Sequence, residues 1–354
     1  MKLNFVGDIM LGRGVGETLK GKGYEFVFGE IISIIPKADG IIANLEAPFA
    51  IEGNALADKD PHLTFKIAPD FVSALKYINI SSVTLANNHI TDYGSSALKS
   101  TTKVLKGSDI SFTGAGSNLY EAVMPIEYGN RETQESVGIF SFNAFVPFTT
   151  SAKKDKFGVA RFDRKTVYFA LKQFQAKYNA FIITVHWGVD YHQFPVPQLV
   201  KFAKKLIDDF PKIIAIVGHH PHLQQPVIYH KERPIFCSLG NFMFDEPFPL
   251  SCTGSILTLE IENNRVVKYS MIFTILDEKF KLIPLPEGDV KNESQRLKMI
   301  KKKIDEKAIE YENMDKIWIK YLIYQAIRFR SFNDLSYLFT HYAPIQIINK
   351  LVFK

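Results

Sequence analysis

The chain has 354 residues, of which 46% are hydrophobic and 23% charged, and its formal net charge at pH 7 is +6. This composition supplies enough apolar side chains for a large core and excludes an intrinsically disordered protein. The sequence contains no apolar run of about 18 residues, the length that spans a membrane, so no transmembrane helix is predicted.

The excess of positive charge lies near the C-terminus. Residues 1–290 contain 30 Lys and Arg against 30 Asp and Glu, whereas residues 291–354 contain 13 against 7. A nucleic-acid surface needs clustered basic residues, so we expect the first 290 residues to bind no nucleic acid. The basic segment KMIKKKIDEK is either a binding surface or the solvated face of a helix, and the second interpretation is favoured.

The cysteines and the first residues both bear on location. Cys237 and Cys252 form no CxxC pair and lie among apolar residues, which is typical of reduced cysteines in a core. The segment MKLNFVGDIML lacks a basic region followed by a long apolar stretch, and we expect a strand there rather than a secretion signal. A cytoplasmic location is therefore the expectation, and association with the cell surface is the alternative.

Short apolar strands alternate with helical patterns along the first 285 residues. In chain order, strands are predicted at KLNFVGD, DGIIANLE, SSVTLANN, SVGIFSFN, AFIITVHWG and KIIAIVGHH, because each is rich in β-branched or aromatic residues. Helices are predicted at PDFVSALKYI, SSALKSTTKVLKG, RKTVYFALKQFQAKY and VPQLVKFAKKLIDDF, where apolar residues recur at three- and four-residue spacing. This alternation predicts an α/β fold with a largely parallel sheet.

The pattern changes twice after His222. QQPVIYH, RPIFCSLGNF, SILTLEIEN and RVVKYSMIFTIL follow one another without helices, which predicts a meander or a second, antiparallel sheet. From Pro286 the pattern is helical, so we predict a domain of residues 1–285 and a C-terminal extension of residues 286–354. In the extension, IWIKYLIYQAIRF is apolar around most of its circumference. This predicts packing against the main domain or, in a homo-oligomer, against a second copy of the chain.

Polar side chains with metal-binding chemistry follow the predicted strands. In chain order they are Asp8, Asn44, Glu46, Asn87, Asn88, His89, Asp92, His186, His219, His220, His222 and Asn241. Ligands of α/β sheets bind beyond the carboxyl ends of the strands, so we expect these side chains to converge on one edge. Oxygen and imidazole donors without cysteine suit Mn, Fe or Zn rather than a structural zinc site.

Such a donor set also has a chemical use. Two ions that share one carboxylate activate a water molecule and hold a phosphoryl group. His89 follows the candidate ligand Asn88 and would protonate a leaving oxygen, with Asp92 orienting its ring.

Each of these residues has a simpler explanation when it is taken alone. Asp8 is typical of a helix cap or a turn, and Asn87-Asn88 is typical of a turn. His186 is equally consistent with a buried, hydrogen-bonded histidine, and the segment HHPH with an exposed loop. We favour the metal site because the simpler explanations would all have to hold at once.

The chain contains, in this order, the blocks GDIMLGR, ANLEAPF, LANNHITDYG, FTGAG, HWGVDY, GHHPHLQQ and SLGNFMFD. These seven blocks and their order resemble the CapA family, also called the capsule or poly-gamma-glutamate synthesis protein family, which is similar to calcineurin-like metallophosphoesterases. The resemblance covers roughly residues 1–275. It implies a four-layer α/β-β/α sandwich, in which two sheets are flanked by helices and a metal site lies at the strand ends.

The resemblance also implies a role for each candidate residue. The implied ligands of one or two divalent ions are Asp8, Glu46, Asn88, His186, His220 and His222, with Glu46 as the bridging carboxylate. The implied catalytic pair is His89 and Asp92. The candidates for substrate contact are Arg13, Asn44, His219 and Asn241, although Arg13 is equally consistent with a surface salt bridge.

The three clustered histidines are not expected to be equivalent. His220 and His222, held apart by Pro221, would face one site, whereas His219 would point elsewhere, into the rim or towards the substrate. Loss of His220 or His222 is therefore expected to remove the ion, and loss of His219 to leave it in place.

Two features depart from the wider metallophosphoesterase pattern. That pattern opens with Asp-x-His, whereas this chain has Asp8-Ile9-Met10, so one imidazole ligand is missing. Glu46 is one carbon longer than the usual bridging aspartate. CapA-like sequences share both features, so the departures bear on the second ion rather than on the family.

Three functions of different kinds fit the sequence. The first is a metal-dependent hydrolase that acts on a phosphate ester, or another acyl or phosphoryl bond, of an anionic small molecule or polymer in cell-surface polymer metabolism. The second is a non-catalytic accessory protein for capsule or polyglutamate assembly that keeps a residual metal site. The third is a binding module that uses the basic extension. The presence of His89 beside the candidate ligands favours the hydrolase, because a scaffold does not need a proton donor beside its ligands.

Overall fold

A computed structural model describes residues 1–51, 55, 64–130, 135–144, 150–246 and 249–328. The rest of the C-terminal extension, residues 329–354, lies outside the described part, and so does the end of the predicted segment IWIKYLIYQAIRF.

The strands are numbered in chain order. Their bounds are β1 Lys2–Ile9, β2 Gly40–Leu45, β3 Ser82–Thr84, β4 Ser111–Thr113, β5 Ala115–Gly116, β6 Ile126–Asn130, β7 Glu135–Asn143, β8 Gly158–Val159, β9 Ala180–His186, β10 Ile213–His219, β11 Gln224–His230, β12 Arg233–Leu239, β13 Asn241–Met243, β14 Thr253–Glu262, β15 Arg265–Leu276 and β16 Leu282–Pro284. All six strands predicted in the first 219 residues are present.

The helices are numbered in the same way. Their bounds are α1 Arg13–Lys22, α2 Tyr24–Ile32, α3 Val72–Tyr77, α4 Gly94–Gly107, α5 Leu119–Ala122, α6 Arg164–Phe174, α7 Pro197–Asp209, α8 Glu287–Asp305, α9 Ile309–Glu312 and α10 Met314–Arg328. The predicted helices correspond to α3, α4, α6 and α7. In helix α7, the three- and four-residue spacing places the apolar side chains on one buried face. These residues are Leu199, Val200, Ala203, Leu206 and Ile207.

The first sheet has a parallel centre and an antiparallel flank. Its order is β16-β15-β14-β1-β2-β3-β4, and β13 also pairs with β1. Strands β1 to β4 are parallel to one another, whereas β14, β15 and β16 are antiparallel to their neighbours. The parallel part therefore brings the carboxyl ends of β1, β2 and β3 to one edge.

The second sheet repeats this plan. Its order is β11-β12-β10-β9-β7-β6, with β7, β9, β10 and β12 parallel and the outer strands β6 and β11 antiparallel. Every residue of β9 and of β10 is buried, as expected for parallel strands that are covered on both faces.

The prediction for the strands after His222 is confirmed in part. Strands β14, β15 and β16 form an antiparallel meander, but the strands after His222 do not form a sheet of their own, because β11 and β12 extend the second sheet while β14 and β15 extend the first. The physical reason is that each pair of strands covers an open sheet edge, and such an edge carries unpaired backbone groups. As a result, the short strand β13 lies beside β1 and places Asn241 next to Asp8.

Three apolar cores separate four layers, which confirms the predicted α/β-β/α sandwich. The core between the two sheets includes Phe5, Leu257, Ile182 and Val217. The outer face of the first sheet packs against α1 to α4 through residues such as Phe28. The outer face of the second sheet packs against the helices on the other side, with residues from α6, α7, α8 and α10.

The C-terminal extension is helical, as predicted, and belongs to the last of these layers. Ile300, Ile304, Met314, Trp318 and Leu322 are buried in the same core as the second sheet. Of the two packing partners predicted for the apolar segment, the described residues therefore contact the main domain.

The basic segment of the extension forms the solvated face of α8. Lys301 pairs with Asp305 and Lys302 with Glu306, and the Lys302 side chain is 74% exposed. Within the described residues, no helix combines the length and apolar character needed to cross a membrane.

Candidate metal centre

The predicted site residues converge at the carboxyl edges of both sheets. The strand registers place Asp8 beside Asn44 in the first sheet and His186 beside His219 in the second. All twelve residues that follow the strands are at most 8% exposed. Both sheets contribute, the first mainly with oxygen donors and the second with imidazoles.

The first group of candidate ligands is centred on His186 Nε2. This atom lies 2.7 Å from Asn88 Oδ1, 3.1 Å from His220 Nδ1 and 3.3 Å from Glu46 Oε1. We call Glu46, His186 and His220, with Asn88 beside them, the His186 group. Their donor atoms are close enough together to hold one ion.

The second group contains Asp8, Glu46 and His222, and we call it the Asp8 group. One donor atom of each residue lies within 4.8 Å of the others, and His222 Nδ1 is 3.9 Å from Asp8 Oδ2. Glu46 belongs to both groups. A bridging carboxylate has to belong to both groups, and the bridging role of Glu46 stays a prediction.

Asp8 is surrounded by hydrogen-bond donors. Its Oδ1 accepts a hydrogen bond from Asn44 Nδ2 at 2.8 Å and lies 3.0 Å from His219 Nδ1, while its Oδ2 accepts one from the backbone N–H of His220 at 3.2 Å. Burial by itself would raise the pKa of the Asp8 carboxyl. The hydrogen bond with His219 and the charges of the nearby histidines outweigh burial and hold this pKa well below its usual value.

Glu46 has the opposite electrostatic environment. Burial and then the negative charge of Asp8 raise the pKa of the Glu46 carboxyl well above its usual value. Its Oε2 lies 3.4 Å from Asn44 Nδ2. Its buried Oε1 receives no hydrogen bond from any described group, although His186 Nε2 is 3.3 Å away. A cation at this position would stabilise the ionised carboxylate.

The imidazoles of the His186 group are held neutral. Burial and the neighbouring His220 lower the pKa of His186 well below its usual value. Burial also lowers the pKa of His220, although Asp190 partly opposes this shift. Neutral imidazole is the form that binds a metal ion, so these two residues need not lose a proton to do so near neutral pH.

His220 and His222 lie in the loop after β10 and belong to different groups of candidate ligands. His220 and His222 both have positive backbone φ angles, 98° and 57°, a conformation that is strained for residues with side chains and that clusters at functional sites. Their ring centroids are 6.2 Å apart. His220 belongs to the His186 group and His222 to the Asp8 group. The two rings therefore face neighbouring halves of the centre instead of a single position.

The sequence predicted that His219 points away from the candidate ligands, and this prediction is wrong. It ends β10, is 3% exposed, and its Nδ1 lies 3.0 Å from Asp8 Oδ1. The reason is the parallel pairing of β9 and β10, which places His219 directly beside His186 at the sheet edge.

His89 and Asp92 form the predicted pair. His89 Nδ1 lies 2.9 Å from Asp92 Oδ2, and the same oxygen accepts a hydrogen bond from the backbone N–H of Phe65 at 2.8 Å. The Phe65 ring stacks on the His89 ring with centroids 4.1 Å apart. Asn87 shapes this loop, since its Oδ1 accepts hydrogen bonds from the N–H groups of His89 and Ile90.

Three of the four residues predicted to contact substrate are buried against candidate ligands. Asn44 donates to Asp8, His219 lies beside Asp8, and Asn241 Oδ1 is 2.9 Å from His222 Nδ1. This placement fits side chains that orient ligands. Their contact with substrate stays a prediction.

Arg13 is more exposed than the others and forms a salt bridge. Its Nε lies 2.9 Å from Asp245 Oδ1, and its guanidinium lies over the Phe65 ring, 4.7 Å from the centroid. Of the two interpretations of Arg13, the described contacts match the salt bridge, and a role in holding an anionic group stays a prediction.

Two residues that contact the clustered histidines were not among the candidates predicted from the sequence. Asp190 Oδ1 lies 3.3 Å from His220 Nε2, and the Tyr191 ring stacks on His222 with centroids 5.7 Å apart. Both lie in the block HWGVDY, from which only His186 was selected. A carboxylate four residues after a candidate ligand was the available signal.

Comparison with known proteins gives the family. The model of the bacterial capsule synthesis protein family PGA_cap matches residues 2–246, which include every candidate site residue. The chain belongs to this family. PGA_cap relatives include the capsule biosynthesis protein CapA of Bacillus anthracis, 28% identical over 326 residues, which cover 90% of this chain and 77% of that protein.

Two further relatives cover most of the chain. The PGA biosynthesis protein CapA of Bacillus subtilis strain 168 is 28% identical over 272 residues, which cover 77% of this chain and 70% of that protein. A probable polyglutamine synthesis accessory protein of Mycobacterium tuberculosis strain H37Rv is 26% identical over 283 residues, which cover 68% of this chain and 73% of that protein.

Solved structures of similar proteins include two phosphoesterases. The calcineurin-like phosphoesterase YfkN from Bacillus subtilis has a TM-score of 0.43 and 14% identity, and the match covers 85% of this chain and 98% of that one. The 5'-nucleotidase precursor from Thermus thermophilus has a TM-score of 0.45 and 12% identity, and the match covers 84% of this chain and 58% of that one. The similarity is weak in both cases, and the family match alone assigns the chain.

Proposed function

We propose that this member of the PGA_cap family is a metal-dependent hydrolase that cleaves a phosphate ester, or another phosphoryl or acyl bond, of an anionic small molecule or polymer. The observation that carries the proposal is the position of Glu46, which belongs to both groups of candidate ligands. A carboxylate shared by two ligand groups is the arrangement that a pair of divalent ions needs.

The donor set fits divalent ions such as Mn, Fe or Zn. It combines two buried carboxylates, an amide oxygen and three imidazoles, without a thiolate. The buried Glu46 Oε1 has no hydrogen-bond donor among the described residues, and a buried charge of this kind is stabilised by a cation. When bound, the ions would supply Lewis-acid activation of water and neutralise charge on the substrate.

The protein's own residues would handle the proton of the leaving group. Asp92 is fixed by the Phe65 N–H and is 2.9 Å from His89 Nδ1, so its carboxylate favours a proton on that nitrogen. In the doubly protonated ring, Nε2 would carry the proton that His89 gives to the leaving oxygen, and Nδ1 would keep the proton that faces Asp92. Stacking on Phe65 restricts rotation of the His89 ring and keeps this direction fixed.

The names of the relatives suggest the pathway. Two relatives are named for the biosynthesis of a capsule or of PGA, so we propose a substrate in cell-surface polymer synthesis. The mycobacterial relative is named a probable accessory protein, which supports a second candidate function, a non-catalytic role in polymer assembly. The His89–Asp92 pair favours the hydrolase, because an accessory protein has no use for a positioned proton donor.

Metal content and hydrolysis together test the proposal. Purified protein would be analysed for Mn, Fe and Zn, and then assayed with p-nitrophenyl phosphate and bis(p-nitrophenyl) phosphate in the presence of Mn²⁺. We expect bound metal and measurable turnover. The variant His89→Ala should lower kcat by about 10²- to 10⁴-fold, the usual contribution of a general acid, and should keep its metal.

The matched control is His230→Ala, which removes an imidazole paired with Asp208 outside the site. This variant should retain wild-type kcat. Wild-type protein that binds metal without hydrolysing either ester or a PGA polymer would favour the accessory function. Turnover that survives both His89→Ala and Asp8→Asn would contradict the assigned residues.

Three other expectations from the sequence stay predictions. They are the cytoplasmic location, the formation of a homo-oligomer and the division of the chain into two parts at residue 285.

A further inference from the structure

The C-terminal extension reaches the candidate metal centre through one side chain. The hydroxyl of Tyr321, on α10, donates a hydrogen bond to Asp190 Oδ2. The other oxygen of the same carboxylate, Oδ1, lies 3.3 Å from His220 Nε2. The Asp190 carboxylate thus contacts Tyr321 of the extension with one oxygen and His220 of the His186 group with the other.

The two ring nitrogens of His220 have different neighbours. Nδ1 of His220 lies 3.1 Å from His186 Nε2, so this ring nitrogen faces the other candidate ligands. The opposite nitrogen, Nε2, lies within ion-pair distance of the Asp190 carboxylate, and this contact does not have the geometry of a hydrogen bond. A histidine that binds a metal through one ring nitrogen usually directs the other at a carboxylate, which fixes the tautomer and the ring orientation.

Helix α10 is well placed to hold Tyr321 at a fixed position. Trp318 and Leu322, on either side of Tyr321 in the helix, are at most 1% exposed. Asp315 Oδ1 accepts a hydrogen bond from the backbone N–H of Gln198, at the start of α7, at 2.8 Å. The Tyr321 ring also stacks on Trp318, with centroids 6.1 Å apart. The hydroxyl is thus fixed by packing at several points.

We propose that Tyr321 is a positioning residue for the His186 group, because its hydroxyl fixes the Asp190 carboxylate and Asp190 fixes the ring of His220. This inference rests on the proposed function, since it requires an ion in the His186 group. It goes further, because Tyr321 lies in the C-terminal extension, outside the residues 2–246 that match the family model. The extension would therefore tune metal binding as well as cover the second sheet.

The Asp8 group is held by different neighbours. His222 contacts Asn241 and Tyr191, and the Tyr191 hydroxyl donates to Glu246 Oε2 at 2.6 Å. None of these four residues belongs to the extension. The proposal therefore predicts an effect on one ligand group and not on the other.

Metal titration of matched variants tests this difference. Tyr321→Phe keeps the ring that packs against Trp318 and removes the hydroxyl. Co²⁺ binding would be followed by visible absorption in two backgrounds, His222→Ala, which keeps the His186 group, and His186→Ala, which keeps Glu46, Asp8 and His222. We expect Tyr321→Phe to weaken binding about threefold to tenfold in the first background. This is less than the 10- to 100-fold typical of a residue that contacts the ligand directly. In the second background binding should not change.

Two controls separate positioning from a general loss of structure. Tyr311→Phe removes another hydroxyl from the extension, from a ring that packs against the same core, and should leave Co²⁺ affinity unchanged. Asp190→Asn should weaken the His186 group about 10- to 100-fold. Adding Tyr321→Phe to Asp190→Asn should then have no further effect, because the hydroxyl acts through Asp190.

The outcomes distinguish this inference from the proposed function. If the wild-type protein binds Co²⁺ but Tyr321→Phe binds it equally tightly in the His222→Ala background, the positioning role is wrong and the metal centre stands. An equal loss in both backgrounds, or in Tyr311→Phe, would show a structural effect and also overturn it. A wild-type protein that binds no ion would overturn both proposals together.

Discussion

The two ligand groups share Glu46 but differ in the rest of their donors. The His186 group adds two imidazoles and the amide oxygen of Asn88, and its donor atoms lie 2.7–3.3 Å from His186 Nε2. The Asp8 group adds one carboxylate and one imidazole, His222.

This difference suggests that the two halves of the centre bind their ions unequally. Four donor groups can complete the coordination of a Zn²⁺ or Mn²⁺ ion more fully than three, so the His186 group should bind more tightly. The Asp8 group relies more on charge, since the pKa of Asp8 is low and its carboxylate stays ionised. We therefore expect the His186 group to hold the tighter ion and the Asp8 group the weaker one.

Glu46→Gln should have the largest effect, because it removes the residue that both groups share. We expect metal content to fall to the background level and Mn²⁺ affinity to fall by more than the roughly 10- to 100-fold typical of a residue behind a ligand, since one change disrupts two ligand sets. Metal analysis and isothermal titration would measure this. Retention of one ion per chain in Glu46→Gln would contradict the bridging position.

The same variant should stabilise the metal-free protein at alkaline pH. Because the pKa of Glu46 is raised in the folded chain, its contribution to stability is fully present below the unfolded pKa, near 4.5, and is lost as pH rises through the folded pKa. Without metal at pH 8, Glu46→Gln should therefore unfold less readily than the wild type, by an amount on the order of 1–3 kcal/mol. The difference should shrink as pH falls towards 4.5, as thermal unfolding with a chelator would show.

His186→Ala and His222→Ala should separate the two halves. We expect His186→Ala to lose the tight ion and His222→Ala to lose the weak one, so that each retains a single ion of different affinity. Stoichiometry and Kd by Mn²⁺ titration would measure this, with His230→Ala as a control that keeps both ions. The same remaining affinity in both variants would mean that the halves are equivalent.

His219→Ala should have the smallest effect and should appear only in the Asp8 group. His219 contacts Asp8 Oδ1 at 3.0 Å and belongs to neither ligand group. Its loss should weaken the ion of the Asp8 group about tenfold, as for a residue behind a ligand, and should leave the tight ion in place. Mn²⁺ titration would detect this, and loss of the tight ion would contradict the placement of His219.

Much of the fold and of the site was predictable because it depends on local patterns. Runs such as AFIITVH are apolar and β-branched, so they favour buried strands wherever they occur. A polar residue that ends such a run must lie at a strand end, and parallel strands bring these ends together. Asp8, Glu46, Asn88 and His186 could therefore be placed in one site before any contact was known.

Contacts between distant parts of the chain were not predictable in the same way. Residues of β12 and β14 look alike as strands, but which sheet they join depends on which open edge they cover. Asn241 therefore reaches Asp8, 233 positions away, only through the pairing of β13 with β1. The direction of His219 likewise follows from the register of β10 against β9.

The sequence by itself determined the alternation of strands and helices, the family and the residue types at the strand ends. Local propensity and period act within a few residues, so a single chain reveals them. Only the tertiary structure decided that Glu46 belongs to two groups, that His220 and His222 serve different ones, and that Tyr321 reaches Asp190 across 131 positions. These arrangements result from the packing of the sheets and helices and from the register of paired strands, which cannot be predicted from patterns of a few neighbouring residues.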